Sequence, residues 1–173
     1  MIDVKKDQLK LKRRKMTRKY AVEILNWRYP APYDMYNSEE SEAEIQEFLT
    51  GGYRAIVNRD GFLVGSYCSK EAAQVPKGHE FGVYEGDYLD IGLGMNPELT
   101  GQGFGKVFFA FILKQFKKNS LRLTVATFNH RAIRLYQGFG FTEVAKFMNG
   151  DVEFMVMIQD AKIQLGKPIG MSE

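Results

Sequence analysis

Gly101, Gly103 and Gly105 alternate through the segment joining an apolar strand, which ends at Met95, to an amphipathic helix that begins near Phe104. Glycine has no Cβ, so a backbone built this way can turn tightly and let a ligand approach its N–H groups. The start of a helix adds unpaired N–H donors and partial positive charge, which suits a phosphate. Downstream, Asn129 and Tyr136 stand seven residues apart, a spacing that puts both on one face of a helix. A phosphate cradle followed by such a pair points to a cofactor site with a proton donor beside it.

Two common phosphate loops fit poorly. A Walker loop requires GxxxxGK[ST], but Thr100 stands at its first glycine and Val107 replaces the hydroxyl that would hold magnesium. The dinucleotide fingerprint is GxGxxG, whereas here GxGxG runs straight into Lys106.

The elements that must position these residues follow from pattern. Leu9 to Met16 alternates apolar and basic residues and reads as an edge strand. Thr17 can cap a helix reaching about Trp27, which Pro30 and Pro32 end. An aromatic loop, Arg28 to Asn37, carries Tyr29, Tyr33 and Tyr36. Ser41 and Glu44 have capping-box spacing for a second helix, closed by Gly51 and Gly52. Tyr53–Asn58 and Phe62–Ser69 form a hairpin around Asp60-Gly61. Glu71 to Gly86 reads as a loop and Tyr88 to Met95 as a strand. The helix Phe104–Lys118 turns Phe104, Val107, Phe108, Phe111, Ile112 and Phe116 inward. After it come strand Leu121–Thr127, short helix Asn129–Gln137, and strands Phe139–Phe147 and Val152–Gln159, with a frayed tail beyond Asp160. Strands and helices interleave, but hairpins build the middle of the sheet. The expected class is a mixed α/β sheet, which excludes an all-parallel doubly wound one.

Bulk properties narrow the function. The 173 residues suffice for one well-cored domain, 1–173, with its core at about 9–159. A 45% apolar and 26% charged composition is that of a soluble globular chain. A net charge of +3 is weak support for a nucleic-acid partner and suits an anionic cofactor. Cys68 is the single cysteine, which favours a reducing compartment. No apolar run approaches membrane-spanning length and the lysine-bearing N-terminus lacks a secretory core, so the cytoplasm is expected, with no membrane partner. His79 and His130 are too far apart in sequence to suggest a metal pair, and no metal is expected.

The loop from Thr100 to Gly105 matches R/Q-x-x-G-x-G/A apart from its first residue, and Asn129, Ala132, Tyr136, Gly140 and Phe141 match N-x-x-A-x-x-x-Y-x-x-x-G-F. On these motifs the chain resembles the GNAT N-acetyltransferase superfamily from about Leu9 to Gln159. It looks closest to bacterial enzymes grouped with the ribosomal-protein N-terminal acetyltransferases. The resemblance implies the acyl-CoA N-acyltransferase fold, a mostly antiparallel sheet flanked by helices and splayed between its fourth and fifth strands. It implies acetyl-CoA or CoA as cofactor. Backbone groups of Leu93, Gly94 and Met95 would meet the pantetheine arm as an added strand would. The segment Thr100, Gly101, Gln102, Gly103, Phe104, Gly105 and Lys106 would hold the pyrophosphate. Asn129 would bond the pantetheine amide, and Tyr136 would sit near the thioester sulfur. Thr100, where the family usually has Arg or Gln, removes one side-chain contact.

The implied reaction moves an acetyl group to a primary amine, on a small molecule or a protein N-terminus. An alkylamine has a pKa of ~10.4 and must lose a proton before attack. Attack produces an oxyanion, which the Met95 N–H can stabilise, and the departing thiolate needs an acid, which a phenol such as Tyr136 can be. The glutamate that serves as base in some relatives is Thr124 here. Asp90 is the substitute on the glycine-flanked strand, with Glu80, Glu85 or water as further options. In this fold the segment between the first two helices lines the acceptor pocket, which makes Trp27, Tyr33 and Tyr36 candidates for substrate contact. Cys68 reads as a small core residue and the basic run Lys10 to Arg18 as a solvated edge, so no nucleic-acid partner is expected. Assembly as a homodimer stays open. The reading from another class is a non-catalytic acyl-CoA-binding sensor or interaction module, favoured by the missing base at Thr124.

Overall fold

Hairpin signals and short apolar runs build most of one sheet. The computed structural model describes residues 10–161; the expected start of the first strand at Leu9 and most of the tail beyond Asp160 lie outside the described residues. The strands are β1 (Lys12–Lys15), β2 (Arg54–Val57), β3 (Leu63–Ser69), β4 (Leu89–Met95), β5 (Leu121–Ala126), β6 (Thr142–Asn149) and β7 (Val152–Gln159). They lie in the order β1-β2-β3-β4-β5-β7-β6. Every neighbouring pair is antiparallel except β4 and β5. The helices are α1 (Arg18–Leu25), α2 (Glu42–Thr50), α3 (Gly105–Lys114) and α4 (His130–Gly138).

Local chemistry starts the helices where the sequence suggests. Thr17 Oγ1 accepts from the Tyr20 N–H at 3.2 Å, Ser41 Oγ from the Glu44 N–H at 3.2 Å, and Asn129 Oδ1 from the Ala132 N–H at 3.2 Å. Each satisfies a donor that the first turn leaves unpaired. Helix α3 ends at Lys114, short of the expected Lys118, because its last turn tightens: Gln115 and Phe116 donate to Ile112 and Leu113, three residues back. The segment expected as a loop after β3 contains two 3-10 turns, Lys70–Ala73 and Pro76–Phe81. Strand β6 starts at Thr142 rather than Phe139, since Phe139 and Phe141 bond back to Tyr136 and Phe141 enters the core.

Burial divides into two main clusters that share α3. Phe109 packs with Ile91, Leu123, Tyr136 and Phe141, while Phe104, Phe108 and Ile112 pack with Ile56, Val64 and Tyr67. A single inward stripe omits Phe109, which is fully buried, because α3 lies across both halves of the sheet and needs apolar residues on two sides. The approach is close at Gly65, where an added Cβ would stand 2.5 Å from the Gly94 carbonyl and from the Phe108 ring. A third cluster packs α1 and α2 on the outer strands, with Leu25, Trp27, Ile45 and Ala55 inside.

Candidate active site

The strands β4 and β5 pair only at Leu89–Leu121 and Asp90–Arg122. Beyond that rung β4 stays with β3, and β5 stays with β7, so a wedge opens between them. The Asn96 N–H donates to the Val64 carbonyl at 2.8 Å. Antiparallel ladders alternate, so Leu93 and Met95 turn their N–H and C=O groups away from β3 and into the wedge, while Gly94 points its own toward β3. Space for a Cβ at Gly94 is open, and a side chain there would narrow the cleft.

Past the end of β4, a 3-10 turn at Pro97–Leu99 leads into the glycine loop. Gly101 and Gly103 have φ of +75° and +82°, a region favourable to glycine. No side chain caps α3 at Phe104. The N–H groups from Gly101 to Val107 donate to no acceptor among the described residues. They form the donor-rich turn that favours an anion. Arg131, in the first turn of α4, brings Nη1 to 3.3 Å from the position of a Cβ on Gly101.

The aromatic loop spans the open end of the wedge. Tyr29 Oη donates to the Met95 carbonyl at 2.7 Å, on the β4 side. On the β5 side Asn129 Nδ2 donates to Tyr36 Oη at 3.3 Å, Tyr33 and Tyr36 pack on Phe128, and the Arg131 guanidinium lies 4.7 Å over the Tyr33 ring. A cleft of about 900 Å³ runs beneath this bridge, from the glycine loop to α1 and α2.

A splayed parallel pair, a glycine turn with free N–H groups and a tyrosine on the following helix coincide with a family match. The chain matches the model of the acetyltransferase (GNAT) family over residues 20–141. It belongs to the GNAT family. Comparison with curated proteins finds no match. Among solved structures, a spermidine N-acetyltransferase from Vibrio cholerae in complex with CoA and spermine superposes with a TM-score of 0.62 at 20% identity, over 90% of this chain and 96% of that one. An aminoglycoside acetyltransferase in complex with coenzyme A gives 0.65 at 19% identity, over 87% and 94%. A GNAT-family acetyltransferase from Bacillus anthracis gives 0.61 at 13% identity, over 87% and 95%. At these identities the likeness is one of fold. The GNAT family works with acetyl-CoA or CoA.

Against this GNAT frame, the expected cofactor residues Leu93, Gly94, Met95, Thr100, Gly101, Gly103, Gly105, Lys106, Asn129 and Tyr136 line the cleft, as do Trp27, Tyr33 and Tyr36. Gln102 and Phe104 do not. The Gln102 side chain turns back to the Glu98 carbonyl, and the Phe104 ring is buried in the core, so each offers only its backbone N–H. Tyr136 is 8% exposed, packed between Phe109 and Phe141, and burial pushes its phenol well above the ordinary range. It therefore stays a proton-bearing group.

Asp90 requires a correction. Its carboxylate is 4% exposed and faces away from the cleft into an ion pair, with Arg122 Nε at 2.7 Å and Nη2 at 2.8 Å, and takes a third bond from Gln74 Nε2 at 2.9 Å. Both of its oxygens are occupied by partners within the protein, and it does not line the cleft. The other carboxylates considered are also outside the cleft: Glu80 pairs with Lys77 at 2.6 Å and Glu85 is exposed. Thr124 does line the cleft, with its hydroxyl 2.9 Å from Tyr84 Oη. Tyr29 and Arg131 are the residues the sequence reading did not assign. A tyrosine in a proline-flanked loop and an arginine beside the family asparagine were the visible signals. His79, against Gln74 Oε1 at 2.9 Å, and exposed His130 lie apart, and no group of His, Cys, Asp and Glu converges as a metal site among the described residues.

Proposed function

We propose that this chain transfers an acetyl group from acetyl-CoA to a primary amine by direct attack within a ternary complex. The observation that carries the reading is the wedge between β4 and β5, whose β4 side presents the backbone N–H and C=O of Leu93 and the N–H of Met95, the Met95 carbonyl being held by Tyr29 Oη. An extended amide-bearing arm can add there as a strand does. Acetyl-CoA supplies the activated thioester carbonyl. The N–H groups from Gly101 to Val107 suit its diphosphate, and a Cβ on Gly101 would stand 3.3 Å from Arg131 Nη1 beside them. Arg131 adds a charge that offsets the loss of the family's side-chain contact at Thr100. The Met95 N–H is the donor for charge on the carbonyl oxygen. Tyr136 holds the proton for the leaving sulfur.

A specific observation favours the second reading, a non-catalytic acyl-CoA-binding module. No Asp or Glu lines the cleft among the described residues. Calorimetric titration with acetyl-CoA, followed by thiol release over a panel of amines, separates the two. Binding with release for at least one amine is expected; tight binding with none supports the module.

A further inference from the structure

The end of the cleft away from the glycine loop lies among α1, α2, β3 and the 3-10 turn that follows β3. Ile24, Trp27, Phe48, Tyr53, Cys68 and Val75 form its wall. The charged residues of the whole cleft, Lys106, Arg131 and Arg134, are cationic and stand on α3 and α4. Glu44 and Glu47 on α2 are exposed and do not line the cleft; both act on the Tyr53 phenol, and Glu47 also on the Cys68 thiol. The polar groups within reach are neutral or already satisfied. Thr124 meets Tyr84 Oη, which also accepts the Val75 N–H at 2.9 Å, and Gln74 is held between Asp90 and His79.

Among the described residues such a pocket offers no carboxylate to balance a cation. Burying an ammonium group without a partner is heavily penalised, and an alkylamine with a pKa of ~10.4 is almost wholly ammonium at neutral pH. Among the described residues the wall has no carboxylate or imidazole to take its proton. An amine bonded to an aromatic ring delocalises its lone pair, arrives neutral and matches an apolar, aromatic wall. Resting on the acetyltransferase reading above, we propose that the acceptor is a small aromatic monoamine of low basicity, bound beside Trp27 and Phe48. Polyamines and aminoglycosides, which arrive with several ammonium groups, are the wrong class. In the transfer the amine lone pair forms the N–C bond to the thioester carbonyl and the C–S bond breaks with its electron pair on sulfur. The sulfur takes the Tyr136 proton, and one amine proton leaves through water to restore the phenol.

The test uses the full chain with acetyl-CoA and four acceptors: 4-methylaniline, phenethylamine, spermidine and a short peptide with a free N-terminus. The expected kcat/KM for 4-methylaniline exceeds that for spermidine by roughly 100-fold or more, with phenethylamine between them. Trp27 is the single tryptophan, so 4-methylaniline should quench its fluorescence saturably in protein loaded with CoA, after inner-filter correction. The substitution Ile24→Asp, at a half-buried wall position, should raise spermidine use relative to 4-methylaniline. Preference for spermidine, phenethylamine or the peptide overturns this inference alone. Acetyl-CoA binding without thiol release for any amine overturns the acetyltransferase reading and this inference with it.

Discussion

Arg122 grips both carboxylate oxygens of Asp90 across the last paired rung of β4 and β5, Nε to Oδ1 at 2.7 Å and Nη2 to Oδ2 at 2.8 Å. The same guanidinium donates to the Tyr84 and Glu85 carbonyls and lies 5.4 Å and 5.6 Å from the Tyr84 and Tyr88 rings. The ion pair stands at the point where the wedge begins and ties together the two strands that diverge from it.

Asp90→Asn leaves the Arg122 charge buried without its partner. Urea unfolding should show a loss of ~3–5 kcal/mol, the usual cost of breaking a buried pair. At a temperature where the variant is folded, kcat should change by only about threefold, against the ~100-fold or greater loss expected on removing a general base. Unchanged stability together with a large fall in kcat would restore Asp90 as the base.

Tyr136→Phe keeps the ring between Phe109 and Phe141 and deletes only the hydroxyl. Expected is a fall in kcat of ~100-fold, with acetyl-CoA affinity unchanged by calorimetry. Wild-type turnover would eliminate the phenol as the acid.

Gly103→Val forces a β-branched residue into φ of +82° and puts a side chain over the cradle. CoA should bind at least ~10-fold more weakly. Arg131→Ala should weaken CoA by a similar ~10-fold through loss of a charge-assisted contact, with dependence on salt reduced. Normal CoA affinity in both variants contradicts the diphosphate placement.

Stability should fall at alkaline pH. Burial pushes the Cys68 thiol up to about 11 from an ordinary 9.0 and the Tyr29 phenol up to about 12 from 10.0. A raised folded pKa means that the unfolded chain loses its proton first, so the stabilisation is complete below pH 9 and is lost as pH rises through 9 to 12. Urea midpoints at intervals across pH 7–12 check this. A midpoint level up to the top of that range would contradict the burial of these groups.

Much was legible from the chain alone because its signals are local. Thr17, Ser41 and Asn129 cap helices by bonds within three residues, and side chain and spacing suffice to read such bonds. The glycine loop, the apolar strand before it and the Asn129–Tyr136 spacing likewise carry their geometry in short segments, and Tyr136 faces the cleft as its helical phase requires. The 3-10 turns after β3 carry no periodic pattern, so that segment was unreadable as structure.

What depended on distant partners was not legible. A strand's alternation says that Asp90 lies on one face of β4, but only Arg122, 32 residues later on β5, decides that this face holds an ion pair. The opening Leu89–Leu121 and Asp90–Arg122 rungs and the divergence after them also depend on how β3 and β7 draw the two strands apart. Tyr29 became a bridge to Met95, 66 residues away, and α3 became buried on two sides, only once the halves of the sheet met. Sequence by itself determined the local pieces, a glycine turn before α3 and a tyrosine seven residues after the Asn129 cap of α4. Tertiary structure decided which charges line the cleft, because a cleft's field is the sum over side chains brought together from remote parts of the chain.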